Sequence, residues 1–267
     1  MSDSRIDTAS TTPMSAAHYD GRSGEELAQL LAVPRVVVYD AVPSTLDVVH
    51  ELGEQGASAG TLVLANAQTA GRGRMRRAWR SDPGAGIWLT LLERPSGDDA
   101  LGVLALRIAL ALAPALDAFA TSRVQLKWPN DLYVSGRKLA GVLVEARWRG
   151  ARLDWLAVGV GINVVGPEGI DAAGLVPGTD RLLVLREIVP ALRGAVSLPG
   201  ALSRAEVARF RERDLAIGQR AVEPAAGVVA GIDVDGALLV DTAEQRVAIY
   251  AGSLILQSDG DSLGGSS

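Results

Sequence analysis

Val124-Gln-Leu-Lys-Trp-Pro-Asn-Asp-Leu-Tyr-Val-Ser-Gly-Arg-Lys-Leu-Ala-Gly-Val-Leu-Val-Glu-Ala-Arg-Trp148 is the stretch on which the fold turns. Val124 to Trp128 reads as one strand. Leu132 to Val134, a Ser135-Gly136 turn and Lys138 to Trp148 then read as a hairpin, because a Ser-Gly pair supplies the positive φ of a tight two-residue turn. Hairpins build antiparallel sheets, and Leu153 to Val164 continues the pattern with another strand. Upstream, Arg35 to Tyr39, Thr61 to Ala65 and Gly86 to Leu92 are further apolar runs of strand length. Helices are expected from Ser44 to about Gln55, capped by the serine hydroxyl, and over 98–119, 180–193 and 203–213. Strand runs with segregated helices and no regular strand–helix alternation predict an α+β fold with a largely antiparallel sheet.

From Gly218 onward the character changes. Short runs at 220–222, 227–233, 237–241, 246–250 and 253–257 alternate with turns, of which Asp235-Gly236 is the clearest. This predicts a small antiparallel barrel over 217–257, after a main domain over 25–216. Residues 1–24 and 258–267 are polar, and both are expected to be disordered tails.

The 267 residues suffice for a sizeable core, and 48% hydrophobic with 21% charged residues marks a globular chain. No apolar run reads as a membrane span, since 101–120 is broken by Arg107, Pro114 and Asp117, and no signal peptide precedes it. With no cysteine, disulfides, zinc-thiolate sites and thiol nucleophiles are excluded. A cytoplasmic location is expected. The two histidines, His18 in the expected tail and His50 on an expected surface helix, offer no material for a serine triad or a histidine-rich metal site.

Against a net charge of −5, Gly71-Arg-Gly-Arg-Met-Arg-Arg-Ala-Trp-Arg80 holds five arginines and no acid. Glycine lets a backbone approach a ligand, and arginine presents a fork of donors to carboxylate or phosphate. The stretch reads as an anion-binding loop or as an exposed basic loop. A dinucleotide fingerprint fails because Arg76 stands where the last glycine belongs, and no Gly-Lys-Ser or Gly-Lys-Thr ends a P-loop. A second cluster, Lys127-Trp-Pro-Asn-Asp131 with Arg137-Lys-Leu-Ala-Gly141 and Glu145, reads as a turn or as a polar site at the start of a strand. A third, Gly159-Val-Gly-Ile-Asn163, reads as a tightly packed core strand or as a floor that something approaches.

Taken in order, Ser44-Thr45, Gln68-Thr-Ala-Gly-Arg-Gly-Arg74 with Arg77 and Trp79, the Trp-Pro-Asn-Asp cluster with Lys138 and Gly141, and Gly159 to Asn163 resemble the biotin–protein ligases. The resemblance spans about Val36 to Leu256 and is weak between Gly166 and Arg213. It implies a mixed sheet flanked by helices, like the catalytic domain of class II aminoacyl-tRNA synthetases, with a small C-terminal SH3-like barrel. It implies that biotin and ATP, with magnesium (Mg2+), give biotinyl-5′-AMP, and that biotin then passes to a lysine of a biotin carboxyl carrier protein of acetyl-CoA or acyl-CoA carboxylase. By the same resemblance Ser44, Thr45 and Gln68 hold biotin's ring, and Gly141 and Gly161 give it room. Gly71, Arg72, Gly73 and Arg74 belong to a loop over biotin and adenylate, with Trp79 at its end either covering the adenylate or anchoring the loop. Lys138 bridges carboxylate and α-phosphate, and Arg72, Arg74 and Lys138 are the catalytic candidates. Arg77, Lys127, Asn130 and Asn163 match the ATP end, and Asp131 orients Lys138 or a magnesium-bound water. The metal ligands stay open.

Two departures stand out. Leu46 replaces an asparagine common in the family, and Arg76 replaces a glycine. The stretch before the first strand is shorter than the winged helix-turn-helix of DNA-binding members, so no DNA-binding role is expected. A lipoate– or octanoate–protein ligase and a non-catalytic biotin-binding regulator are the alternatives. The oligomeric state, a homodimer included, is not legible.

Overall fold

In the computed structural model, residues 18–257 are described, and they begin with a short helix, α1 (Gly24–Leu30), closed by a reciprocal capping box between Ser23 and Glu26. β1 (Arg35–Val42), α2 (Thr45–Glu54) and β2 (Thr61–Gln68) follow, then β3 (Gly86–Glu93) and α3 (Leu104–Asp117). β4 (Gln125–Lys127), β5 (Asp131–Val134), β6 (Arg137–Arg149) and β7 (Arg152–Asn163) are the strands read from the opening stretch and its continuation. α4 (Arg181–Val196) and α5 (Arg204–Arg211) complete the main unit.

The seven strands form one mixed sheet in the order β1-β2-β3-β7-β6-β5-β4. β1 and β2 run parallel, linked through α2, and every other pair is antiparallel. The β5–β6 turn has Ser135 at φ 50° and Gly136 at φ 75°, as a tight hairpin requires.

Alternation along β7 assigns the two faces. Leu156, Val158, Val160 and Ile162 enter the large core beneath α1, α3, α4 and α5. Trp155 and Ala157 point the other way, into a smaller core under α2 that includes Val49, Val63 and Leu92. On that second face Gly159 lies at the edge of α2, under Leu46, and Gly161 and Asn163 continue beyond it, where a cleft opens. Arg107, which interrupts the apolar run of α3, is buried and pins α3 to α5 through Glu206 at 2.8 Å and to the carbonyls of Leu198, Gly200 and Ala201. No helix among the described residues is long and apolar enough to cross a membrane.

The C-terminal unit comprises β8 (Arg220–Glu223), β9 (Gly227–Ile232), β10 (Leu238–Asp241), β11 (Arg246–Ile249) and β12 (Ile255–Leu256), in the order β11-β10-β9-β8-β12. The expected small barrel is, in hydrogen-bonding terms, an open antiparallel sheet. Its two ends are short, β12 having only two residues, and among the described residues no pairing joins β11 to β12. Its apolar side (Val229, Leu238, Val240) continues the large core, and the Trp128 indole N–H donates to the Gly236 carbonyl at 3.0 Å.

At the N-terminus, structure begins earlier than composition suggested. Tyr19 is fully buried, and Arg181 holds the Asp20 carboxylate with both Nε and Nη2. The remainder of the expected tails, 1–17 and 258–267, lies outside the described residues.

Candidate active site

The cleft floor is a row of residues in register across the sheet. Trp88 of β3 pairs with Gly161, Gly161 with Gly141, Gly141 with Asp131 and Asp131 with Lys127. Two adjacent glycines in such a row leave a trough with no side chains. The Trp79 indole lies in it: a β-carbon at Gly161 would come within 2.7 Å of the ring and one at Gly141 within 3.3 Å. The third glycine, Gly159, meets Leu46 in the same way at 3.3 Å. The cleft measures about 420 Å³.

The arginine loop is a small hairpin of its own. Trp79 N–H donates to Gly71 O at 2.8 Å, and Gly73 N–H to Arg77 O at 2.8 Å. At its tip Met75 and Arg76 both take left-handed φ, 54° and 58°. Of the sixteen positions read from sequence as site residues, Gly71 does not line the cleft. It is a packing position, because a β-carbon there would meet Trp79 O at 2.5 Å. Ser44, Thr45, Gln68, Arg72, Gly73, Arg74, Arg77, Trp79, Lys127, Asn130, Asp131, Lys138, Gly141, Gly161 and Asn163 are all brought to the cleft wall.

One part of that wall is polar and neutral. Gln68 Oε1 accepts from Thr45 N–H at 2.9 Å and from the Thr45 hydroxyl at 3.1 Å, while Gln68 Nε2 donates to Ser81 Oγ at 2.8 Å. Thr45 also shares a 2.8 Å bond with the buried Thr90. Ser44 caps α2 by accepting from Leu46 N–H at 3.3 Å, as its sequence position indicated. Leu46 is buried and uses its apolar side chain against Gly159, so the residue that replaces asparagine works as packing.

The remainder is cationic. Lys138 Nζ lies 2.7 Å from Asp131 Oδ1 and 5.1 Å from the Trp79 ring centroid. Burial lowers the Lys127 ammonium below its ordinary pKa, and Lys138 and Arg77 push the same way against the opposing pull of Asp131. Burial likewise lowers Arg74. Burial, with help from Asp131 and Asp171, pushes the Tyr133 phenol up to about 12, so it stays a neutral donor. Asn130 ties β5 to β6 by donating to Val142 O at 2.6 Å, and accepts from Arg74 at 3.5 Å. Asn163 donates to Ala173 O at 3.2 Å.

Several contributors were not legible in the sequence. The segment after Asn163 supplies Pro167, Ile170 and Asp171 to the rim, held by Arg137 through Asp171 at 2.8 Å and Ala172 O at 2.6 Å. Ser253 and Leu254 reach the cleft from the C-terminal unit, and Ser253 Oγ lies 3.5 Å from Met75 Sδ. His50 is not a surface histidine: its ring is hydrogen-bonded on both nitrogens, to Glu145 and Trp155. No local pattern flags these contacts, since each joins segments far apart in the chain.

Coulomb repulsion keeps two anions apart unless cations stand between them. Arg72, Arg74, Arg77, Lys127 and Lys138 around one trough therefore suit a ligand carrying at least two negative groups. Among the described residues no group of three His, Cys, Asp or Glu side chains could hold a metal ion. Magnesium normally keeps several waters and takes one or two carboxylates plus substrate phosphates. The residues present fit that mode, with Asp131 as the carboxylate beside an ion brought in on phosphate.

A family model described as "Biotin/lipoate A/B protein ligase family" matches residues 38–163, and one described as "Biotin protein ligase C terminal domain" matches 221–257. The chain is 32% identical over 231 residues to the bifunctional ligase/repressor BirA of Escherichia coli, covering 77% of this chain and 69% of that one. It is 30% identical over 239 residues to the biotin–[acetyl-CoA-carboxylase] ligase of Mycobacterium tuberculosis, covering 79% and 88%. The match to BirA of Bacillus subtilis, 38% identical over 130 residues, spans 40% of that relative's length. Among solved structures, biotin protein ligase from Aquifex aeolicus in complex with biotin and ATP superposes with a TM-score of 0.69 at 28% identity, over 83% of this chain and 98% of that one.

Proposed function

This chain belongs to the biotin/lipoate A/B protein ligase family, and we propose that it activates biotin with ATP as biotinyl-5′-AMP and transfers biotin to a lysine of a carboxyl-carrier protein. The observation that carries this reading is Lys138, held 2.7 Å from Asp131 at the edge of the glycine trough, with the arginine loop beside it.

In the first step an oxygen of biotin's carboxylate attacks the α-phosphorus of ATP. The bond from that phosphorus to the bridging oxygen breaks, and pyrophosphate leaves with the electron pair. Lys138 donates to both the carboxylate and the α-phosphate, lowering their repulsion and stabilising the charge that develops between them. Asp131 aims the ammonium. Thr45, Gln68 and Ser44 hold the polar ring of biotin beside Gly141 and Gly161, with the Trp79 indole withdrawing from the trough to admit it. Arg72, Arg74 and Trp79 cover the acyl-adenylate, and Arg77, Lys127, Asn130 and Asn163 hold the nucleotide. Asp131 would be the carboxylate to hold magnesium brought in on the triphosphate, and the ion would supply neutralisation of phosphate charge there. In the second step the neutral amine of the carrier lysine attacks the acyl carbon, the bond to the phosphate oxygen breaks and AMP leaves. The amine loses its proton, and the product is an amide.

The match of the C-terminal unit to a biotin protein ligase model supports biotin over lipoate. The net charge of −5, with an arginine run confined to the cleft loop, supports a role that does not involve DNA. Purified protein with biotin, ATP and magnesium should release pyrophosphate and label a carboxyl-carrier domain. Stabilisation by lipoate in place of biotin would move the reading to the lipoate enzymes, and binding without pyrophosphate release would leave a biotin-binding regulator.

A further inference from the structure

We propose that His50 is a positioning residue that docks the arginine loop, acting through Glu145 on Arg72. This rests on the reading of the cleft as the biotin–adenylate site, but its first test does not depend on that chemistry.

The argument begins with hydrogen-bond polarity. Trp155 Nε1 carries a hydrogen and can only donate, and it lies 3.2 Å from His50 Nδ1. His50 Nδ1 must therefore accept, which places the ring proton of the neutral imidazole on Nε2. That nitrogen lies 2.9 Å from Glu145 Oε2, so His50 donates to the carboxylate. The same Glu145 oxygen accepts from Arg72 Nη2 at 3.5 Å, and Arg72 Nη1 donates to Asp47 Oδ1 at 2.6 Å. Donors thus run from Trp155 on β7 through His50 on α2 to Glu145 on β6, where Arg72 of the loop donates from the other side.

Asp47 and His50 stand three residues apart on α2 and so share a face. α2 supplies one direct contact to Arg72 and one indirect contact through Glu145. The His50 side chain is 15% exposed, Glu145 33% and Arg72 36%, so protein surrounds the chain most closely at its histidine end. Glu145 has several rotamers within reach, and Arg72 alone holds it only by a long contact. The imidazole, fixed on both nitrogens, selects the rotamer that faces the loop. His50 does not line the cleft, and its side chain connects to the loop through Glu145 and Arg72.

The test uses the full chain with His50→Leu, which keeps volume and removes both hydrogen bonds, and His50→Gln, whose amide can donate to Glu145 as Nε2 does. In limited trypsin digestion without ligand, His50→Leu should be cut at Arg72 or Arg74 several-fold faster than the parent, and His50→Gln should be restored toward it. In pyrophosphate release, His50→Leu should raise the KM for biotin about fivefold or more with kcat changed less. Glu145→Gln should show the same defect, and adding His50→Leu to it should add little. Loop cleavage equal in all variants overturns the proposal, as does an additive double variant. If the parent releases no pyrophosphate, the functional reading fails while the digestion result still decides the docking role. If His50→Leu melts far below the parent, the comparison of His50→Gln with Glu145→Gln decides: a loop defect in Glu145→Gln with none in His50→Gln supports the docking chain, and no defect in Glu145→Gln overturns it.

Discussion

Gly141 and Gly161 face each other directly across β6 and β7, and the indole of Trp79 rests over both. Two strands that could each carry a large side chain here carry none. The loop's aromatic ring fills the space those side chains would take. Gly161→Ala places a methyl 2.7 Å from that ring. Overpacking of this kind costs about 1–3 kcal/mol. The melting temperature should fall by about 2–4 °C per kcal/mol of that cost, and biotin or ATP binding measured by calorimetry should weaken by about tenfold or more. Unchanged affinity for both ligands would mean the trough is not the binding floor.

Lys138 is the group expected to matter in the reacting state more than in ligand binding. Lys138→Ala should lower kcat/KM for pyrophosphate release by about 10²–10³-fold, the usual cost of losing one donor aimed at developing charge. Binding of biotin alone should fall much less. A loss confined to biotin affinity would move Lys138 from a catalytic to a binding role.

Arg76 sits at φ 58°, where the family resemblance expects glycine. A β-carbon in the left-handed region costs about 1–2 kcal/mol, part of which glycine returns through greater freedom of the unfolded chain. Arg76→Gly should therefore raise stability by up to about 1 kcal/mol in urea unfolding, and Arg76→Val should lower it. Destabilisation by glycine would show that the Arg76 side chain, not its backbone, holds the tip.

Asp214 gives the chain a pH dependence of its own. Oδ1 accepts from Ala216 N–H at 2.9 Å, while Oδ2 is buried without a partner. Burial raises this carboxyl from its ordinary 3.8 to about 6. Between those values the folded state binds more protons than the unfolded, so stability falls as pH rises from 3.8 to about 6 and stays reduced above. Asp214→Asn should remove that slope and add about 2–3 kcal/mol at pH 7. Thermal melts from acid to neutral pH test both; parallel curves for parent and variant would show the carboxyl titrates normally.

Much of the scaffold was legible because it rests on local rules. The Ser135-Gly136 turn, the apolar runs of β6 and β7 and the cap at Ser44 depend on neighbours a few residues away. The small C-terminal antiparallel module was legible too, but not whether its ends join, because that depends on whether two short edge strands meet, which strand length and turn residues do not encode. Fifteen of the sixteen site positions line one cleft, and the sixteenth, Gly71, closely approaches the Trp79 carbonyl, a contact within the loop that composition does not reveal.

By itself the sequence determined most of the elements, though not α1, together with the strand alternation that leaves Gly159, Gly161 and Asn163 on one face and the cations available to a doubly anionic ligand. Only the tertiary structure decided that Trp79 occupies the trough, that Leu46 is packing and that His50 joins Glu145 to Trp155. The reason is physical. Alternation and capping are set by periodicities of two and about four residues along one chain. A hydrogen bond between α2 and β7, 105 positions apart, exists only after the sheet has brought them together.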